Sequence, residues 1–126
     1  MTKEQFVQAC AELTRLGYHR NYGDNEYPRG DGRDYYYKTI ERRMNRYEEN
    51  RAVNQVLFRI WHFEEYKDRV PINSLYSLEP VIMISRSISE RIDLVVSYPK
   101  RSIAEIEELA VKFGKWADEN IREITD

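Results

Sequence analysis

Two helix-start signals, one near each end of the chain, constrain the fold more than any other feature. Thr2 is followed three positions later by Gln5, and Ser102 is followed three positions later by Glu105. In this capping-box pattern the two side chains satisfy amide groups that the first helical turn leaves without partners. A helix is therefore expected to begin at each of these positions.

Apolar stripes at helical spacing follow both signals and predict helices over residues 2–16 and 102–124. The first stripe consists of Phe6, Cys10, Leu13 and Leu16. The second consists of Ile103, Ile106, Leu109, Phe113, Trp116 and Ile121. Gly17 stands where a left-handed cap would end the first helix. Gly114 costs the second helix about 1 kcal/mol relative to Ala, which indicates close packing against another backbone.

Between the helices the pattern changes to that of β-strands. Residues 52–63 place Val56, Phe58 and Ile60 on one face. A second hairpin is expected from residues 81–88 and 91–98, turning at Ser89-Glu90, with Pro99 ending its last strand because it has no amide to donate.

The segment from residue 34 to residue 50 is compatible with two structures. Tyr36, Ile40, Met44 and Tyr47 have helical spacing, whereas the run Tyr35-Tyr36-Tyr37 favours a strand. Because the strand after it needs a partner, we prefer a long antiparallel hairpin of residues 35–47 with 52–63, turning near 48–50. A helix remains the alternative.

Two segments rich in turn-forming residues are expected to be loops, residues 19–33 and 67–78. The resulting prediction is a single α+β domain over residues 1–126. It has a four-stranded antiparallel sheet of two hairpins, flanked by N- and C-terminal amphipathic helices in the order α-β-β-β-β-α.

Charge and cysteine content narrow the class of protein. The 126 residues carry 20 basic and 22 acidic side chains, so a strong positive field for duplex binding is not expected. The lone cysteine, Cys10, excludes an internal disulfide and fits a reducing compartment. Without an apolar run long enough to span a bilayer or a signal-peptide pattern, the chain is expected to be cytoplasmic and to have no membrane association.

The loop over residues 19–33 is a candidate binding segment because it mixes cations and rings among glycines. Arginine gives bidentate contacts to phosphates and tyrosine stacks on bases. The candidate residues are Arg20, Tyr22, Tyr27, Arg29 and Arg33. The alternative is a solvated loop whose arginines are balanced by Asp24, Glu26, Asp31 and Asp34.

A second candidate surface follows from the predicted sheet, because two helices cannot cover both of its faces. Tyr, Trp and Arg are enriched at protein interfaces. Tyr37, Arg43, Arg59 and Trp61 are the residues of this kind that the strand pattern exposes. The alternative is that the tyrosines fill a shallow core and its rim.

No pattern of known catalytic chemistry is present, and His62 beside Glu64 is more simply a strand-end histidine bonded to a carboxylate. No catalytic residue, metal site or cofactor is therefore predicted. The arginines beside the acidic loop residues also oppose a cation.

The favoured function is a non-catalytic binding protein that docks on a partner protein as an inhibitor or adaptor, with homo-oligomer formation as a further expectation. The alternative is a small binder of nucleotides or single-stranded nucleic acid. Small proteins of this style are encoded by phages and mobile elements, although no residue pattern carries that impression.

Overall fold

The computed structural model describes residues 1–22, 28–44, 50–86 and 90–121, with the side chains of Met44, Asn50 and Arg51 excepted. Its elements follow the order α1 (Lys3–Arg15), β1 (His19–Asn21), β2 (Asp31–Met44), β3 (Asn50–Lys67), β4 (Val70–Ser85), β5 (Arg91–Val95) and α2 (Ile103–Asn120). The five strands form one antiparallel sheet in the order β1-β2-β3-β4-β5. The α+β class with a helix at each end is confirmed.

Both capping boxes are formed as expected. Gln5 N donates to Thr2 Oγ1 at 3.2 Å and Thr2 N donates to Gln5 Oε1 at 2.9 Å. Ser102 and Glu105 make the same reciprocal pair at the start of α2. Gly17 adopts a φ of 93° after α1, in the left-handed region that ends helices.

The four-strand prediction is wrong by one strand, which lies in the predicted loop over residues 19–33. His19, Arg20 and Asn21 pair with Tyr37, Tyr36 and Tyr35 of β2. Three residues are too few to show a period-two pattern, so only the partner strand defines β1. Residues 31–33 of the same predicted loop already belong to β2.

The preference for a strand over a helix is confirmed for residues 34–44, because β2 runs to Met44. Residues 48 and 49 of the expected turn near 48–50 lie outside the described part of the chain, and Asn50 is the first residue of β3.

The predicted loop over residues 67–78 is also wrong. Strand β3 continues to Lys67, only Asp68 and Arg69 form a turn, and β4 begins at Val70. Both turn residues have positive φ, 50° and 65°, as in the tight type I′ turn that joins antiparallel strands. Pro71, taken as a sign of a loop, is tolerated because strands accept proline where no ladder bond is needed.

The contacts of the chain divide it into two compact units, and the expectation of a single domain remains a prediction. The α1 unit comprises residues 1–37 and 58–79, and the α2 unit comprises residues 38–57 and 80–126. Strands β2, β3 and β4 contribute residues to both.

The core of the α1 unit combines rings with aliphatic side chains, and a ring stack lies at its margin. The ring of Tyr76 stacks on Phe6 with centroids 4.5 Å apart, and on His62 at 4.2 Å. Tyr18 meets the edge of Phe58 at 5.4 Å. Phe6, Ala9, Cys10 and Leu13 are the buried face of α1, whereas Leu16 of the predicted stripe is 40% exposed.

The core of the α2 unit is aliphatic around a buried arginine. Arg86 is fully buried, and its guanidinium donates to Asp118 Oδ1 at 2.8 Å, Asn54 Oδ1 at 2.7 Å and the Gly114 carbonyl at 2.7 Å. A Cβ on Gly114 would lie 2.1 Å from Asn54 Nδ2. The glycine is therefore required by close approach, to two polar side chains rather than to another backbone.

Strand β5 pairs with the second half of β4, from Val81 opposite Val95 to Ser85 opposite Arg91. The predicted hairpin of 81–88 with 91–98 is thus present in shorter form. Residues 87–89, which include Ser89 of the predicted turn, lie outside the described residues. No helix in the described part of the chain is long and apolar enough to cross a membrane.

Candidate docking surface

Arg29, a predicted ligand contact, is held by a carboxylate of the chain itself. Its side chain donates to Asp34 Oδ1 through Nη2 at 2.6 Å and through Nε at 3.1 Å, and its backbone amide donates to Asp34 Oδ2 at 2.6 Å. Asp34 is 1% exposed. The hydrogen bonds from Arg29 hold the pKa of Asp34 below its usual range, although burial opposes the shift.

The other described loop candidates are also engaged locally. Arg33 pairs with Asp31 at 2.6 Å, and its hydrogen bond lowers the pKa of that carboxyl. Arg20 places its guanidinium carbon 4.5 Å from the ring centre of Tyr22, a cation–π arrangement. Tyr27 lies outside the described residues.

Tyr22 also contributes to a buried polar cluster beneath α1. Its hydroxyl lies 3.3 Å from that of Tyr36. Burial and the bond to Tyr22 raise the pKa of Tyr36. Burial raises the pKa of the Cys10 thiol to about 11, against a smaller lowering by a hydrogen bond from Tyr36. Cys10 therefore stays a neutral, buried thiol near pH 7.

Tyr37, Arg59 and Trp61 lie with the loop candidates in the α1 unit. The ring of Tyr37 lies 5.3 Å from His19 and 6.1 Å from Tyr35. Arg59 is 4.0 Å from Glu79. Trp61 packs over Gly32, where a Cβ would lie 2.4 Å from the ring.

Trp61 and Arg59 occupy the face of β3 opposite Phe58 and Ile60, because successive side chains of a strand alternate. Phe58 and Ile60 are fully buried, whereas Arg59 and Trp61 are only partly buried. The indole Nε1 of Trp61 is buried and has no hydrogen-bond partner within the described residues. Arg43 is not part of this surface, because it lies in the α2 unit and pairs with Glu41 and Asp118.

The segment with the largest number of exposed apolar side chains was not predicted from the sequence. It is the end of the β3–β4 hairpin, residues 63–75, which we call the exposed arm. Every residue in it is exposed, and all but Asp68 and Arg69 are in strands. Ten large apolar side chains are exposed in the described part of the chain, and half of them belong to the arm: Phe63, Tyr66, Val70, Ile72 and Leu75.

Among the described residues, no strand pairs with one backbone edge of the arm. Strand β4 lies between β3 and β5, but its pairing with β5 begins only at Val81. Before that point the described contacts on this edge are a two-bond bridge of Tyr76 with Met1 and a bond from Val96 N to the Pro80 carbonyl. Residues 70–75 therefore present an edge that other strands can pair with. In the sequence, the apolar residues Val70 and Ile72, two positions apart, are the sign that this segment is a strand.

His62 and Ser74, at the base of the arm, form a pair that the sequence did not suggest. Their Nε2 and Oγ atoms are 2.6 Å apart. Glu64 Oε1 lies 3.9 Å from the same Nε2, whereas a catalytic triad needs its carboxylate on the other ring nitrogen. These three residues therefore do not form a triad.

Within the residues that the structure describes, no group of three or more His, Cys, Asp or Glu side chains is arranged to hold a metal ion. Comparison with protein-family models, with curated proteins and with solved structures gives no significant match.

Proposed function

We propose that the chain is a non-catalytic binding protein that docks on a partner protein, as an inhibitor or adaptor, through the exposed arm. The observation that carries the proposal is the concentration of exposed apolar side chains on this one hairpin. Phe63 is 66% exposed, Val70 58% and Ile72 55%. Exposed large apolar side chains concentrated on one element are typical of interaction sites.

The free edge of β4 suggests how such a partner binds. An extended segment can add to the sheet beside residues 70–75, where backbone hydrogen bonds give affinity and side chains give selectivity. From Val70 to Leu75 the arm has no charged side chain. The chemistry therefore fits an extended, apolar segment of another protein.

The nucleotide-binding alternative has less support. Arg29 and Arg33, which would contact phosphates, already donate to Asp34 and Asp31. A phosphate would have to displace a carboxylate from each, which offsets much of the gain. Thermal-shift screening against nucleotides and short oligonucleotides at low salt is expected to give no shift, and a clear shift would favour this alternative.

Selection from a displayed library of random peptides tests docking directly. Peptides recovered on the wild-type chain should protect the amides of residues 70–75 from hydrogen exchange. Ile72→Lys should weaken their binding at least tenfold, because it places a charge in an apolar contact. Val7→Lys is the matched control, since Val7 is 55% exposed on α1 and lies outside the arm.

Failure to recover any peptide would count against the proposal. So would recovered peptides that bind Ile72→Lys and Val7→Lys equally well, or that protect amides outside the arm. Because Ile72 is exposed, its replacement should leave the unfolding free energy within about 0.5 kcal/mol of wild type.

A second copy of the chain is one partner of this kind, since antiparallel edges related by a two-fold axis present the same surface to each other. Sedimentation over a range of concentrations should show an oligomer that Ile72→Lys removes and Val7→Lys keeps. Wild type that stays monomeric would exclude self-association, and the docking proposal would then depend on the peptide selection alone.

A further inference from the structure

The α2 unit contains a pocket of about 330 Å³ between α2 and the β4–β5 pair. None of the residues that line it belongs to the exposed arm. Its lining is almost entirely apolar and comprises Ile84, Ile92, Leu94, Leu109, Phe113 and Trp116, with Lys112. A pocket of this size is at the lower end of the range found for small-molecule sites.

The pocket arises from the way α2 packs in its own unit. The face of α2 that is buried consists mainly of small residues, Ala110, Gly114 and Ala117, together with Ile103 and Ile106. The larger side chains Leu109, Phe113 and Trp116 lie beside that face rather than under it. Trp116 remains 47% exposed, so these side chains form a wall of the pocket instead of filling the core.

Lys112 determines which kind of ligand the pocket favours. It is the one charged residue of the lining, and it makes no ion pair within the described residues. An ammonium group beside an apolar cavity favours a ligand with an apolar body and an anionic end, because the long lysine stem packs along the apolar wall while its charge stays near water. No carboxylate lines the pocket to compete for that charge.

We propose that this pocket binds a free medium-chain carboxylic acid, with its alkyl chain against Phe113 and Trp116 and its carboxylate at Lys112. The volume sets the chain length. A methylene group takes about the space of a water molecule, roughly 30 Å³, so the pocket holds about ten carbon atoms.

Titration of the full chain with decanoate, below the concentration at which it self-associates, tests the site by ¹⁵N-resolved NMR. The sequence has two tryptophans, so the two indole N–H signals separate the pocket from the rest of the chain. The Trp116 signal should shift in a saturable manner, and the Trp61 signal should stay in place. No saturable shift of Trp116 would overturn the proposal.

Lys112→Met tests the carboxylate preference, since Met keeps the apolar stem and removes the charge. Because an exposed ion pair contributes up to about 1 kcal/mol, the Kd for decanoate should rise roughly two- to fivefold. The Kd for the neutral analogue decanol should not change. An equal effect on both ligands, or none on either, would overturn the assignment of Lys112.

Leu109→Trp places a bulky ring in the pocket and should abolish decanoate binding, with circular dichroism confirming that the variant is folded. If it does not fold, Leu94→Phe gives the same test from the strand side. Undiminished binding by a folded variant would show that decanoate binds elsewhere. Co-sedimentation with anionic vesicles without any response to free decanoate would overturn the proposal in favour of a membrane surface.

Discussion

The α1 unit and the α2 unit each have a helix that begins with the same capping box, yet their interiors differ in chemistry. In the α1 unit the helix contributes Phe6 to a stack with Tyr76 and His62. In the α2 unit the helix supplies Asp118 and the Gly114 carbonyl to the buried Arg86. The helix caps therefore determine where the helices begin, while the residues opposite each helix determine how tightly and how specifically it packs.

The two interiors should respond differently to substitution. The contact between Phe6 and Tyr76 involves no hydrogen bond, so it accommodates changes of shape at moderate cost. A buried guanidinium is satisfied only when every partner is in place, so removing one member leaves the others unpaired.

The largest effect is expected for Arg86→Ala. It leaves Asn54 Oδ1 and the Gly114 carbonyl without their donor and opens a cavity, at a cost of about 3–5 kcal/mol. Urea denaturation measures the change in unfolding free energy. Arg59→Ala is the control, because Arg59 is partly exposed and 4.0 Å from Glu79, and it should cost less than about 1 kcal/mol. Equal losses of unfolding free energy for Arg86→Ala and Arg59→Ala would show that the hydrogen bonds of Arg86 stabilise the chain no more than a partly exposed ion pair does.

Gly114→Ala should cost about 2 kcal/mol, although alanine is normally the better helix former. The added Cβ would meet Asn54 Nδ2, which also donates to Glu41. Combining the change with Asn54→Ala should cost less than the sum of the two single changes. Lys115→Ala, exposed on the same helix, should be nearly neutral. If Gly114→Ala raised the unfolding free energy, the close approach of Gly114 to Asn54 would be refuted.

In the α1 unit, Phe6→Leu should cost about 1–2 kcal/mol, because leucine keeps the apolar volume and loses the stacked contact with Tyr76. Val7→Ala on the same helix is the control and should stay within about 0.5 kcal/mol of wild type. A cost for Phe6→Leu as large as that of Arg86→Ala would remove the contrast between the two interiors.

The smallest effect concerns Asp34, whose pKa in the folded chain is depressed by Arg29. A depressed carboxyl pKa stabilises the folded state above the unfolded value near 3.9, and this contribution is lost as the pH falls through the folded pKa. Asp34→Asn should therefore cost about 1 kcal/mol at pH 7 and flatten the fall in stability below about pH 4. Val7→Ala, which removes no titratable group, is the control and should leave that fall unchanged.

The sequence predicted the features that depend on neighbouring residues. The capping boxes at Thr2 and Ser102 and the strand character of Tyr35-Tyr36-Tyr37 are local, because the groups that satisfy them lie within a few positions or on the same strand. The same local reasoning was wrong for residues 70–75, which belong to the segment 67–78 that the sequence predicts as a loop. Their strand structure depends on pairing with β3, which a local pattern does not contain.

For the candidate sites, too, the sequence predicted which residues are involved but not their tertiary contacts. Sequence patterns left two interpretations of Arg29 and Arg33 open, as ligand contacts or as charges balanced by acidic residues of the same loop. The structure pairs them with Asp34 and Asp31. The apolar stripe of α2 included Leu109, Phe113 and Trp116, and a stripe of this kind normally faces the core. In the structure the small residues between them are buried and these larger ones line a pocket.

The sequence by itself determined the α+β class, the start of each helix and the strand pattern between them, since caps and side-chain periodicity act over a few residues. Only the tertiary structure decided which apolar residues stay exposed on the arm and how Arg86 is satisfied. Exposure and hydrogen-bond partners depend on elements that are distant in the chain, and Arg86 finds Asn54 and Gly114 across 32 and 28 positions.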